Sequence, residues 1–205
     1  MKLNGSFDDH VASVEGAAVF VPFVGGEPER IERCAVAAKR CLGVGTAAAL
    51  DPWAAAATVN IDVRSEAFFA SLSAADRRQV LEIGGHCWSA GTILGGGRAI
   101  IFLNPMHTMH RQKATLAEEL AHIVMGHPPS RIDATTGFRT YDADVEGEAY
   151  GVGGAMILPY GHLFRLVKHG VSAGVIAARY GVSERFVNYR INRAGLRRMY
   201  ARNVS

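Results

Sequence analysis

Within the run Glu118-Glu119-Leu120-Ala121-His122, two carboxylates and an imidazole fall inside five residues. At about 100° per residue on a helix, Glu118, Glu119 and His122 share one face. Leu116, Leu120, Ile123 and Val124 form the apolar stripe on the other. The nearest chemical comparison is H-E-x-x-H, in which two histidines one turn apart bind zinc and the glutamate is general base. Here a carboxylate stands at the first position. A carboxylate oxygen ligates zinc at ~2.0–2.2 Å, so Glu118 and His122 are candidate metal ligands and Glu119 the candidate base. The alternatives are a site that has lost its metal and a plain solvated acidic face.

These residues need a rigid carrier, and the stretch Thr115 to His127, TLAEELAHIVMGH, reads as one helix. Two side chains do not hold zinc, so a second helix must supply another ligand. Asp144 to Leu158, stopped by Pro159, is the candidate. On it Ala149, Tyr150, Gly153 and Ile157 lie within about 60° of Glu146, whereas Glu148 points roughly the other way. The small residues Ala149 and Gly153 would let this face approach the first helix and present Glu146 to His122. Glu146 is therefore the expected third ligand, with Glu148 as its substitute. Gly147, Gly151, Gly153 and Gly154 each disfavour helix by up to ~1 kcal/mol. Either close packing offsets that cost or the segment is irregular.

Elsewhere, Glu27 to Leu42 carries Ile31, Cys34, Ala35, Ala38 and Leu42 at helical spacing, with Gly43 ending the helix. Asp51 and Pro52 open a helix to about Ala57. Val59 to Val63 alternates like a strand, and Ser73 to Asp76 opens a short helix or turn. Cys87 to Asn104 reads as a hairpin: Trp88 to Leu94, then Gly95-Gly96-Gly97, then Arg98 to Asn104 before Pro105. Residues 106–114 read as a polar approach to the metal helix. His107 and His110 are left out of the site because such pairs are usually surface residues.

The chain has 205 residues, 49% hydrophobic, enough for one sizeable core. No apolar run approaches the ~18–20 residues of a membrane span. The opening MKLNGSFDDHVASVEG lacks the basic-then-apolar pattern of a secretory signal. Cys34, Cys41 and Cys87 are an odd number without C-x-x-C spacing, which fits free thiols and a cytoplasmic protein. After Pro159, nine basic side chains face the single acid Glu184, placing +8 there in a chain whose formal total is +3. Such a tail suits a phosphate backbone, an acidic partner, or the chain's own acidic body. Ala177 to Val187 has the helix, glycine turn, serine cap and second helix of a helix-turn-helix. The exposed side of that second helix would carry Arg185, Asn188, Arg190 and Arg193, the candidate nucleic-acid contacts.

The order of these features resembles the ImmA/IrrE family of gluzincin-like metallo-endopeptidases, from about Ile31 onward. IERCAVAAKRCLGV is similar to the family's opening helix, and RAIIFLNP followed by RQKATLAEELAHIVMGH to its strand and zinc helix. DVEGEAYGVGGAMILP matches the family's E-x-E-A-N-x-F-A-A-x-L-L-M-P segment, whose leading glutamate corresponds to Glu146. The closing GVSAGVIAARYGVSERFVNYRINRAGL resembles its helix-turn-helix-like element. The chain departs from the family in Glu118, where the first zinc histidine stands, and in Val152-Gly153-Gly154, which replaces F-A-A. The resemblance implies an α+β fold: a mainly helical zincin-like peptidase domain with a small β-sheet and a C-terminal helix-turn-helix-like element. It divides into an arm (1–26), the peptidase domain (27–160) and the basic element (161–205). It implies zinc, or manganese as a harder ion, held by Glu118, His122 and Glu146, with Glu119 as catalytic base. The implied substrate is a regulatory protein such as a helix-turn-helix repressor. The alternative is an inactive relative, without metal, that binds protein or DNA.

Overall fold

A computed structural model describes residues 26–128 and 142–204. The arm expected at 1–26 therefore lies outside the described residues except for Gly26. Helix α1 (Glu27–Cys41) leads through a loop to α2 (Pro52–Thr58), where the Asp51 carboxylate accepts from the Trp53 and Ala54 amides. Strand β1 (Ile61–Arg64), short helices α3 (Glu66–Ala70) and α4 (Ala74–Arg77) and a π-helical segment at Arg78–Ile83 follow. Then come β2 (Ala90–Gly95), β3 (Arg98–Leu103), α5 (Met109–Met125) and α6 (Ala143–Ile157). Four helices close the chain: α7 (Tyr160–Lys168), α8 (Ala173–Tyr180), α9 (Glu184–Arg193) and α10 (Arg197–Asn203).

The sheet order is β1-β3-β2. β1 runs parallel to β3 with Ile61 opposite Ala99, and β2 is antiparallel with Thr92 opposite Ile101. Gly96 and Gly97, both at positive φ (57° and 74°), make the two-residue turn expected of a tight hairpin. The β3 residues Ala99, Ile101 and Leu103 are buried, which seats the sheet on the helical core. The expected strand at Val59 to Val63 begins later, because Val59 ends α2 and Asn60 takes a left-handed conformation at φ 56°.

Helix α5 is longer than expected. It starts at Met109, where the Thr108 hydroxyl accepts from the Arg111 amide, and ends at left-handed Gly126. Residues 109–114, expected only as a polar approach, are thus part of the helix. Their exposed His110 and Arg111 hid the apolar period.

Helices α5 and α6 form the centre. Leu116, Ala117, Leu120 and Ala121 from the first meet Ala149, Val152, Ala155 and Met156 from the second, all at 1% exposure or less. The glycines of α6 are explained by contact. A Cβ on Gly153 would stand 2.8 Å from the Ala117 carbonyl carbon and the Glu118 nitrogen. On Gly151 it would meet Ile31 of α1 at 3.2 Å, and on Gly154 the Arg190 side chain of α9 at 2.9 Å. Close packing therefore offsets the helix cost. We expect Gly153→Ala to destabilise by about 1–3 kcal/mol, since overpacking against backbone exceeds the propensity gain. Gly147 faces open space, so Gly147→Ala should stabilise by up to ~1 kcal/mol. Opposite shifts in denaturant midpoint would verify the pair; equal shifts would refute the contact argument.

The C-terminal helices are joined to this core. Ser183 caps α9 by accepting from the Phe186 amide, and left-handed Gly181 separates α8 from α9, as the helix-turn-helix pattern requires. One expectation fails. Arg190 is 1% exposed, bonds Glu32 of α1 at 2.5 Å and donates to the Leu158 carbonyl at 3.0 Å. Helical period alone put it on the outer face. The buried carboxylate of Glu32, which also accepts from the Tyr160 amide, draws it inward. Among the described residues no helix is long and apolar enough to cross a membrane, and Cys34, Cys41 and Cys87 form no disulfide.

Candidate metal centre

Glu118 and His122 lie one turn apart on α5, and Glu146 lies in the first turn of α6. Asp142 caps that turn by accepting from the Asp144 and Val145 amides. The close approach at Gly153 sets the spacing of the two helices. Each of the three side chains offers one ligand atom, and those atoms lie within 4.8 Å of one another. His122 Nε2 stands 3.6 Å from Glu146 Oε2, and both side chains are 17% exposed. This is the short separation that the two-helix expectation required. One imidazole nitrogen and two carboxylate oxygens form a donor set suited to a divalent cation, with the carboxylates balancing its charge. The residues fit the ion that the motif implies.

Glu119 follows Glu118 on α5, and the Thr92 hydroxyl of β2 donates to its Oε2 at 2.5 Å. No local sequence pattern marks Thr92, because the contact joins a strand and a helix 27 residues apart. Glu148 does not join the cluster. Arg30 of α1 bonds its Oε1, and His127 Nε2 approaches its Oε2 at 3.3 Å. The hydrogen bond from Arg30, and then that from His127, holds the Glu148 carboxyl below its ordinary range. His127 in turn faces His122, with their Nδ1 atoms 3.1 Å apart. The signal for this pair was present in the sequence, as a histidine five residues after His122 and a glutamate two after Glu146. Its meaning depends on α1.

The cleft beside the cluster, about 440 Å³, is lined by Glu118, Glu146, Gly147, Tyr150, Tyr189 and Arg193. Tyr189 and Arg193 come from α9. The Tyr150 and Tyr189 rings meet at a tilt of 58°, with centres 4.7 Å apart. Burial, with Glu118 adding to it, raises both phenols above their ordinary range, so they remain protonated donors. Arg193 also bonds Glu27 at 2.6 Å. Of the four candidate nucleic-acid contacts, Arg185 and Asn188 are exposed, Arg193 faces the cleft and Arg190 is interior. His107 and His110 lie outside the cluster.

The model of a known family, the IrrE N-terminal-like domain, matches residues 61–192, from β1 to the end of α9. No curated protein matches the chain.

Proposed function

Because the chain belongs to the IrrE N-terminal-like domain family, we propose that it is a metal-dependent endopeptidase that cuts a regulatory protein. The observation that carries this reading is the Glu118, His122 and Glu146 cluster, with the next residue on the helix, Glu119, bonded by Thr92. A zinc ion held by these three residues would supply Lewis acidity toward water and a peptide carbonyl. Two carboxylates reduce that acidity relative to a two-histidine site, and they favour a harder ion such as manganese.

The chain's own groups do the rest. Glu119 accepts a proton from the attacking water and returns it to the leaving amine. Thr92 leaves the second oxygen of that carboxylate available while fixing its direction. Strand β2 is at the edge of the sheet, so an extended peptide laid along it would pass Glu119. Tyr150 and Tyr189 close the other side of the cleft as neutral hydroxyl donors. We take residues 27–160 as the catalytic body and 161–205 as the element that completes the cleft.

A helix-turn-helix repressor is the substrate that the family resemblance favours, and a cytoplasmic location follows from such a partner. The second reading, a binder that does not cut, keeps Arg185 and Asn188 as the exposed pair for DNA. Metal content of the purified protein, followed by cleavage of a co-encoded repressor with and without added zinc or manganese, separates the two. Protein that retains no divalent ion and cuts nothing in either ion would leave the binder. Glu118→His should tighten zinc at least tenfold in a chelator competition, since it restores the two-histidine set. An unchanged affinity would remove Glu118 from the ligands.

A further inference from the structure

We propose that the missing side chain at Gly147 makes the cleft beside the metal cluster a recognition pocket for a large aromatic side chain of the protein that is cut. The inference deepens the proposed function and rests on it for the cutting. Helix α6 carries four glycines, and three are explained by what packs against them. Gly151 meets Ile31, Gly153 the backbone of Ala117 and Glu118, and Gly154 the Arg190 side chain. Gly147 has no such reason. A Cβ there would meet nothing within 4 Å among the described residues. Nor does the backbone require glycine, since Gly147 is not among the glycines at positive φ. Alanine would hold the helix better at such a position. What the glycine leaves is space, and that space belongs to the cleft, which Gly147 lines directly after Glu146.

The rest of the lining says what fits. Tyr150 is three residues on from Gly147, so a side chain at 147 would lie on the same side of the helix and fill the room in front of that ring. The Tyr150 and Tyr189 rings adjoin, and Phe186 backs Tyr150 nearly edge to face with centres 6.4 Å apart. Together they make one continuous aromatic wall. Such a wall favours a flat ring laid offset or edge-on against it. Arg193, the cation of the lining, bonds Glu27, so it is not held out for an acidic side chain. Glu118 and Glu146 belong to the metal cluster. At about 440 Å³ the cleft falls in the range that encloses a whole small ligand, so one ring and its backbone have room.

The test uses the full chain and two readouts. In the first, N-acetyl-phenylalanine amide, N-acetyl-alanine amide and N-acetyl-arginine amide are titrated to millimolar concentration and followed by backbone amide NMR. The phenylalanine probe should shift the amides of Gly147, Tyr150 and Tyr189 and bind at least about tenfold tighter than the alanine probe. Gly147→Leu should abolish those shifts. Gly147→Ala, expected to fold more firmly than the native chain, should give an intermediate result. No shift at these amides, alanine or arginine bound as tightly as phenylalanine, or native binding by both variants overturns the pocket. In the second readout, kcat/KM is compared for peptides that differ only in phenylalanine or alanine beside the cut. The phenylalanine-to-alanine ratio should fall at least about tenfold in Gly147→Leu. Cutting with a ratio that the variant leaves unchanged keeps the endopeptidase and overturns the pocket. If the native protein retains no divalent ion and cuts nothing, the endopeptidase reading fails, and the probe titration by itself decides for or against the pocket.

Discussion

Glu119→Gln is expected to slow peptide hydrolysis by about 10²–10⁴-fold, the usual contribution of a general base. At 1.36 kcal/mol per tenfold change, that adds about 3–5 kcal/mol to the barrier. The structure lets this variant isolate proton transfer. A glutamine carbonyl still accepts from the Thr92 hydroxyl, so the side chain keeps its place. Glu119 is outside the Glu118, His122 and Glu146 set, so zinc content should be unchanged. The measurement is single-turnover cleavage against metal stoichiometry in the same sample. Native rates from the Gln variant would remove Glu119 from the chemistry. Loss of both metal and cleavage would instead make it a ligand.

Arg190→Met is expected to cost about 3–5 kcal/mol of folding stability, because it strands the Glu32 carboxylate in the interior. Glu32 is 6% exposed and would keep only the Tyr160 amide, with the Lys39 ammonium nearby. Burial lowers Lys39 to about 8, so it stays mostly charged at neutral pH and loses that compensation only as the pH rises through 8. Replacing both members of the pair, Glu32→Leu with Arg190→Met, should lose clearly less than the single change. Denaturant melts of the two variants give the answer; a double variant no more stable than Arg190→Met would show that packing, rather than charge, holds this position. The same pair joins α1 to α9. A large effect of Arg190→Met would therefore also mean that the basic C-terminal element is part of the folded core.

The chemistry was more legible in the sequence than the architecture around it. Glu118, Glu119 and His122 sit on one helical face, and that periodicity is a local property. Glu146 could be chosen over Glu148 because small residues on its side of α6 marked the face that approaches α5. The Gly-rich run looked like a weakness until the partner backbone was known, since close approach is visible only in three dimensions. Arg190 shows the limit of reasoning from a single helix: its burial depends on a carboxylate 158 residues away. Thr92 and Arg30 were unreadable for the same reason. Helix α7 has no side-chain cap to mark its start between Pro159 and the helix-turn-helix pattern, although Leu163, Leu166 and Val167 are fully buried.

The missing side chain at position 153 acts as a gauge for the jaws on either side of it. Ligand distances in a metal site tolerate errors of about 0.2 Å, whereas a methyl group there would sit 2.8 Å from the backbone that carries Glu118. The rods must part to admit it, and the donor atoms ride on those rods. Gly153→Ala should therefore weaken the cluster's hold on a divalent ion even with every donor still present, and larger cations should be affected least.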